Sequence, residues 1–505
     1  LEEKGGKKLA QQELRIKSFE DTLRERPWPV RKVPLTEVWA ELYAKETGPD
    51  RAYSDFQEAN VHARHAYHKP YALEGIRVLN CGIWRLDCLY FGTLFGELGA
   101  EVIKIEPPGG DPLRKLTPFG REEYMLKSYH TGEPCGLEFI NDCRNQYSIT
   151  LNLETEKGRE LLKRLVKHSD VLVENYPPGH FDSLGIGYRQ LSKINPRLIY
   201  VYLCQQGGWG SGKDKVSKHG QWMLDPFSWA AGEQMFSTGF PPDQLPRERG
   251  GNPTRSGHWL GDYVAAQHAF AATMCALYVR DGIIEGGTST GKGQFIECSA
   301  VEAYMDVNDF NMVWYGFDGS SKARTGGWDP NLNQYAWNPC ADGFMMIGGQ
   351  TDRLWYRINQ CLERDLPEAG RLICEDPILK EMGARNQLEM LCKTYTITSY
   401  WLARNPRAFC EKKLLEYGIA AGPLLYIDEV AEYPDFIYRG HVQLFEDEHY
   451  GKLLVARSPL GHQHRAPARI KWLGRPVGWD TPMIFARLLG IGQDGLEQLK
   501  KEGVV

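Results

Sequence analysis

From Ile76 onward, apolar and polar positions alternate between two periods. RVLNCG has the short, continuously apolar run of a buried strand. LYFGTLFGELGA then repeats its large side chains at helical spacing, and EVIKIEPPGGDP returns to a strand that PPGG ends sharply. That succession predicts a β-α-β unit. The order recurs in SITLNL, the amphipathic EKGRELLKRLVKHSD, VLVENYPPG, the short YRQLSKINP helix and LIYVYLCQ. Strands alternating with helices are joined by crossovers, so the predicted class is α/β, a parallel, doubly wound sheet with helices on both faces.

A long helix is predicted after Asp262, with Val264, Ala265, His268, Ala271, Ala272, Cys275 and Tyr278 on one face. Beyond GKGQFIECSAVEAYM the regularity fades. Residues 318–445 read as a smaller α+β domain, with a hairpin in ADGFMMIGGQ and helices around Trp355–Cys361 and Glu389–Tyr395. The expected organisation is an N-terminal extension over 1–72, a large domain over 73–292 completed by 450–505, and a linker over 293–317. The last segment ends in an amphipathic helix expected to pack back on the large domain.

Composition narrows the function. The 505 residues suggest about three domains at roughly 150 residues each. Sixty Lys and Arg against 65 Asp and Glu give a net charge of −5, which excludes a globally basic nucleic-acid binder. With 42% hydrophobic residues and a mean hydropathy of −0.45, the chain is an ordinary globular sequence. It has no apolar run long enough for a membrane helix, and its start is charged where a signal peptide is apolar, so a cytoplasmic location with no membrane partner is expected. The first residue is Leu rather than Met, as after trimming or processing. Twelve scattered cysteines without CxxC form neither a disulfide framework nor a zinc site. His62, His65 and His68 lack a completing Cys or carboxylate, so no metal is expected.

The catalytic motifs separate by what they lack. The first β-α turn reads Cys81-Gly82-Ile83-Trp84-Arg85-Leu86 and carries no GxGxxG, which argues against a nicotinamide dehydrogenase. Gly207 to Lys213 has Walker A spacing, but Asp214 stands where Ser or Thr would bind magnesium, leaving a glycine-rich loop after a strand. No GxSxG occurs. Most acidic runs, such as Glu446-Asp447-Glu448, read as solvated faces. Asp262 differs: it follows an apolar pair and a glycine where a long helix begins. Aspartate there is ordinarily an N-cap. It also stays ionised beside the helix dipole, and an ionised, accessible carboxylate can attack an activated acyl group. The residues alone lead to an α/β enzyme with a candidate Asp nucleophile.

From Leu73 to its end, the chain resembles the family III CoA-transferases, which include formyl-CoA:oxalate and carnitine CoA-transferases and, as a divergent branch, α-methylacyl-CoA racemase. The resemblance is carried by LEGIRVL, LGAEVIKIEPPGGDPLR, the SITLNL to VLVENYPPG run, LGIGYRQLSKINPRLIYV, the LGD of Leu260–Asp262, TGKGQFIECSAVEA and LLGIGQDGLEQLKKEGVV. It implies a Rossmann-like large domain and a smaller α+β domain in an interlocked, ring-like dimer, or a heterodimer with a homologous subunit. The implied reaction moves CoA from an acyl-CoA donor, such as succinyl-CoA or acetyl-CoA, to a free carboxylic acid. Asp262 forms first a mixed anhydride and then an aspartyl-CoA thioester, with no permanently bound cofactor and CoA itself as substrate.

By the same resemblance, Asp225 orients or protonates groups in the site, though before Pro226 it also reads as a helix cap. Asn175, Tyr176, Leu151 and Leu184 fall at CoA-contacting positions. Departures are visible at Ser183, at Glu154 and at Asp87-Cys88-Leu89, where the family has an arginine, a basic residue and an AGP turn. Arg114, with Arg85 and Lys115, is the candidate replacement for lost phosphate contacts. Gly326 and Gly327 shorten the glycine run that closes over the intermediate in the oxalate enzyme. Trp84, Trp222, Trp229, Trp259, Trp328 and Trp337, taken together, suggest a bulky or aromatic acceptor such as an arylsuccinate, while each alone reads as core packing. Two alternatives stay open: a 2-methylacyl-CoA racemase, against which Leu224 stands where racemases carry His, and a non-catalytic subunit of a heteromer.

Overall fold

The computed structural model describes residues 51–210, 225–240, 251–282, 289–308, 311–321, 324–329, 331–367 and 377–505. These form two compact units, one of residues 51–324 with 435–505 and a smaller one of 325–434. In the larger unit, the strands are β1 (Arg77–Asn80), β2 (Glu101–Glu106), the short pair β3 (Met125–Lys127) and β4 (Pro134–Gly136), β5 (Gln146–Thr150), β6 (Val171–Glu174), β7 (Ile199–Cys204) and β8 (Phe295–Ser299). Six of them make one sheet in the order β5-β2-β1-β6-β7-β8, with every neighbouring pair parallel. Chain order reverses between β1 and β6, the crevice where open α/β sheets take their ligands.

The strands are apolar at successive positions because both faces are covered. Val78, Val102 and Val171 turn to one face, against Phe91 and Phe95 of the helix Leu86–Glu97. Leu79, Ile103 and Leu172 turn to the other, against Leu161, Leu162 and Leu165 of the helix Glu156–Val166 and against the C-terminal segment from Ile484 to Val504. That segment ends in the helix Gln493–Lys501, and Asn152 N donates to Val504 O at 2.7 Å. The helix Leu86–Glu97 is buried apart from Tyr90, its charged Glu97 meeting Arg144 Nε at 3.1 Å.

The helix expected after Asp262 spans Leu260–Asp281, and the residues expected on one face are mostly exposed or partly covered, apart from Ala265. Ala265, Ala266, Ala269, Thr273 and Ala276 turn inward, whereas Cys275 and Tyr278 are exposed and His268 pairs with Asp306 at 3.0 Å. Small side chains let this helix lie close on the sheet, so its larger residues turn outward. The stretch 293–317, expected as a linker, instead holds edge strand β8 and the helix Ala300–Asp306, which packs on the long helix. The strand escaped notice because Phe295, Ile296, Glu297 and Cys298 are only partly covered.

The smaller unit has an antiparallel sheet of β9 (Tyr335–Cys340), β10 (Gly343–Gly348) and β11 (Ala420–Pro423), with the predicted hairpin at β9 and β10. Trp355, Ile358 and Leu362 of the helix Asp352–Asp365 pack with Trp401, Cys410 and Met345 into its own core. In the larger unit, β12 (Val442–Asp447) and β13 (Gly451–Ala456) form a further hairpin. No helix among the described residues is long and apolar enough to cross a membrane.

The helix Arg51–Val61 and the 3-10 turn Ala63–His68 dock on this unit through histidines. The His62 ring meets Tyr438 edge-on, Phe56 meets His464, and His462 Nδ1 lies 3.4 Å from Val61 O. His62 Nδ1 accepts Arg64 N, a capping role, and no cluster among the described residues is arranged to hold a metal. Burial, helped by Arg64 at His62 and by Arg457 and Arg439 at His441 and His462, holds all three below the ordinary value of 6.5. The unfolded chain therefore binds more protons below that value, and stability is lost as pH falls through it. Hydrogen exchange is expected to show residues 51–68 losing protection between about pH 7.5 and pH 5, ahead of β1 and β6.

Candidate active site

The loop from Cys81 to Arg85 leaves β1 at the reversal in strand order, and buried charges behind it hold it in place. Lys104 on β2 donates to Gly82 O and meets Asp111 Oδ2 at 3.0 Å. Asp111 Oδ1 accepts Trp84 N at 3.2 Å and Leu113 N at 3.0 Å. Glu106 accepts Asp111 N at 2.8 Å and grips Arg114 through Nε and Nη2 at 2.7 and 2.6 Å. This network explains the EVIKIEPPGGDPLR motif. It also holds Trp84 at φ +67°, a conformation costly for a bulky residue, with its side chain half exposed.

Asp262 is fully buried in the first turn of the long helix, yet it does not cap that helix. Its carboxylate reaches across to other elements. Oδ2 accepts Leu86 N at 3.1 Å, the first amide of the helix Leu86–Glu97, and Oδ1 accepts Gln205 Nε2 at 2.9 Å from the end of β7. Arg85 Nε lies 3.8 Å from Oδ1. Burial pushes this carboxyl above its ordinary range, while Arg85, the Leu86 amide and Gln205 pull it back. Both oxygens face donors, the arrangement an ionised carboxylate requires.

Asp225 performs the cap expected of Asp262, but from another element. Asp225 opens the helix Asp225–Ala231, and its Oδ1 accepts Asp262 N at 3.0 Å and also bonds the Gly261 amide. Arg255 Nη2 lies 3.9 Å from Oδ2. Burial and the Asp262 charge push the Asp225 carboxyl up to about 6. Gly261 is required at this junction: a Cβ there would sit 2.5 Å from Ser228 Oγ, 2.6 Å from Tyr304 Cε2 and 2.7 Å from Asp225 Oδ1. The two predicted carboxylates are thus brought together. Gln205, Arg85 and Tyr304 join them without having been predicted as partners of Asp262, because nothing in their local pattern marks a contact across so much chain.

The other predicted positions divide. Asn175 and Tyr176 line a recess at the switch point with Arg85, Tyr202, Gln205 and Gly207. Asn175 is buried, donating to Asp87 Oδ1 at 2.8 Å and accepting Ile83 N at 2.9 Å. The Tyr176 ring stacks on His180 at 5.1 Å. Leu151 is in the core with Leu184 packed at its edge. The Arg114 guanidinium is committed to Glu106 and to Arg475 O at 2.8 Å, whereas neighbouring Lys115 is exposed. Both line a hollow of about 680 Å³ walled by Trp84, Trp259, Leu113 and Val477. Trp229 is buried edge-on to Tyr304. Gly326 and Gly327 belong to the smaller unit, as do Trp328 beside Tyr395 and Trp337 beside Phe344. Trp222, Leu224, Lys213 and Asp214 lie outside the described residues.

CoA-transferase family III matches residues 73–481. The chain is 29% identical over 438 residues to succinyl-CoA–D-citramalate CoA-transferase of Chloroflexus aurantiacus, covering 86% of this chain and 98% of that one. It is 27% identical over 437 residues to the alpha subunit of succinyl-CoA–L-malate CoA-transferase of the same organism, covering 86% and 92%. Among solved structures, a CAIB/BAIF family protein from Brucella suis superposes with a TM-score of 0.69 at 25% identity, covering 83% of this chain and all of that one.

The raised Asp225 carboxyl sets a sign for stability. Its neutral form is favoured in the fold, so that contribution is present at low pH and is lost as pH rises through about 6. Asparagine keeps the acceptor oxygen and cannot ionise. Thermal melts should therefore show Asp225→Asn above the native chain at about pH 8, with the gap closing towards about pH 5.

Proposed function

The chain belongs to CoA-transferase family III, and on that premise we propose that it carries CoA from an acyl-CoA donor to a free carboxylic acid through covalent intermediates on Asp262. The observation that carries this reading is a fully buried carboxylate with donors on both oxygens, at the crevice where the sheet order reverses. An Asp262 oxygen attacks the donor's thioester carbon, the C–S bond breaks, and CoA thiolate leaves an aspartyl anhydride. The thiolate attacks the Asp262 carbonyl carbon, the anhydride C–O bond breaks, and the donor acid departs as its carboxylate. An acceptor carboxylate then attacks the aspartyl-CoA carbon and expels thiolate, which collects the acceptor acyl group and releases Asp262. No proton is consumed in any step.

The acceptor we propose is bulky or aromatic, in the manner of an arylsuccinate, with succinyl-CoA or acetyl-CoA as donor. Supporting it, the tryptophans at positions 84 and 259 wall a hollow of about 680 Å³ with the exposed Lys115 at its side, suited to an apolar body carrying a carboxylate. Asn175 and Tyr176 are proposed to line the CoA path. We also propose an interlocked homodimer, or pairing with a homologous subunit. In support, Met312, Val313, Tyr315 and Phe317 expose an apolar helix, Asn311–Asp318, and one similar enzyme is built from unlike subunits.

Incubation with acyl-CoA followed by hydroxylamine should modify Asp262, read by peptide mass spectrometry. Asp262→Ala should lower turnover by roughly three to six orders of magnitude while keeping the native fold, read by circular dichroism; turnover that survives overturns the mechanism. Offered a panel of free acids with succinyl-CoA or acetyl-CoA, the enzyme should favour arylsuccinates over oxalate, and the reverse order would refute the proposed acceptor. Light scattering should give about twice the 57.4 kDa chain mass, and a monomer that is active alone would refute the assembly.

A further inference from the structure

The loop after β1 buries a cation among acids. Arg85 is 5% exposed and forms an ion pair with the fully buried Asp87, while its Nε faces Asp262 Oδ1 at 3.8 Å. Asp87 is itself fixed, because its Oδ1 accepts Cys88 N at 2.6 Å and Asn175 Nδ2 at 2.8 Å. Asn175 in turn accepts Ile83 N, which ties the end of β6 to the loop carrying Arg85. Arg85 Nε makes no hydrogen bond among the described residues, so the guanidinium is shared between two carboxylates without being spent on Asp262.

Among the described residues, the other titratable groups that interact with Asp262 are acids. They are Asp225, Glu138 on the helix Leu137–Asp142, Cys88 on the buried helix and Tyr304 on the helix Ala300–Asp306. Arg255 approaches Asp225. Among the described residues the cation beside the Asp262 carboxylate is Arg85, and without it burial and the neighbouring Asp225 and Glu138 carboxyls would favour the neutral, unreactive form.

We propose that Arg85, Asp87 and Asn175 form a relay of positioning residues that keeps Asp262 ionised yet incompletely paired. This rests on the CoA-transfer reading of the site. In that cycle Asp262 loses its charge on acylation and regains it as a leaving group, with no proton to compensate. A full ion pair would quench the attacking oxygen; an absent cation would let it protonate. Asp87 divides the guanidinium between these limits, and when Asp262 is acylated Arg85 stays neutralised by Asp87, so the buried site never holds an unpaired cation.

The test is the pH profile of kcat/KM for CoA transfer. Arg85→Gln should raise the acid limb by about one to three pH units, so activity falls far more near pH 6 than near pH 8, and Arg85→Lys should restore the limb. Asp87→Asn should lower the limb while reducing kcat, because Arg85 then closes on Asp262. Should Arg85→Gln fail to fold, the double variant Arg85→Gln/Asp87→Asn keeps the buried charge balanced and should show the same raised limb. An unchanged limb, or an equal loss at every pH, overturns the relay. Isotope-edited infrared titration of the Asp262 carboxyl, identified by its loss in Asp262→Asn, reads the same shift without turnover. A raised titration in protein that transfers no CoA defeats the functional reading and keeps the pairing; transfer with an unshifted titration defeats the relay alone.

Discussion

A carboxylate with no access to water must be solvated by protein, and the larger unit is arranged around that demand at Asp262. Its two oxygens draw on the first amide of one helix, a glutamine from the end of β7 and a guanidinium from the loop after β1. The buried helix Leu86–Glu97 has to start where it does for Leu86 N to reach Oδ2. The loop before it is in turn pinned by Lys104, Asp111, Glu106 and Arg114, which themselves form a buried and nearly neutral set. Among the described residues, the charges behind this loop are met in pairs, Lys104 with Asp111 and Arg114 with Glu106, whereas Arg85 Nε and one oxygen each of Asp87 and Asp225 have no hydrogen-bond partner.

The two neighbouring carboxylates have different work because their surroundings differ. Asp262 projects towards donors from three elements and can remain an anion. Asp225 spends one oxygen on the amides at the start of the long helix, and its carboxyl is pushed up to about 6 by burial and by its neighbour's charge. Two anions so close repel, and the division of labour lets one hold charge while the other holds backbone. Gly261 is the hinge of the arrangement, since any side chain there would part the two.

Much of the sheet was legible from the chain, because strands buried on both faces carry runs of apolar residues and helices between them carry a different period. Asp262 was legible from its place after an apolar pair and glycine. Its partners were not: Leu86, Gln205 and Asp225 come to it across long stretches of chain, and no local pattern records such meetings. Which face of the long helix is buried was not legible, because alanines, weak signals of burial, pack on the sheet while tyrosine and cysteine face outward. Asn175 and Arg114 line the recess and the hollow respectively, and their pairings with Asp87, Ile83 and Glu106 were not legible from the chain. Strand β8 was missed because an edge strand with partly covered side chains lacks the unbroken apolar run of its neighbours.

The C-terminal segment has a bearing on synthesis. Leu496, Leu499 and Val504 complete the core beneath β1, β2 and β6, and Val504 O accepts Asn152 N. As the ribosome delivers the chain, the six-stranded sheet emerges with part of one face, beyond the helix Glu156–Val166, uncovered, and the smaller unit is made before the remaining covering residues arrive. Its own core is complete within residues 325–434, so it can close while the earlier-made sheet still waits. The nascent sheet therefore presents an apolar face for the time it takes to translate some two hundred further residues, which makes it a natural client for a chaperone that shields hydrophobic surface until release.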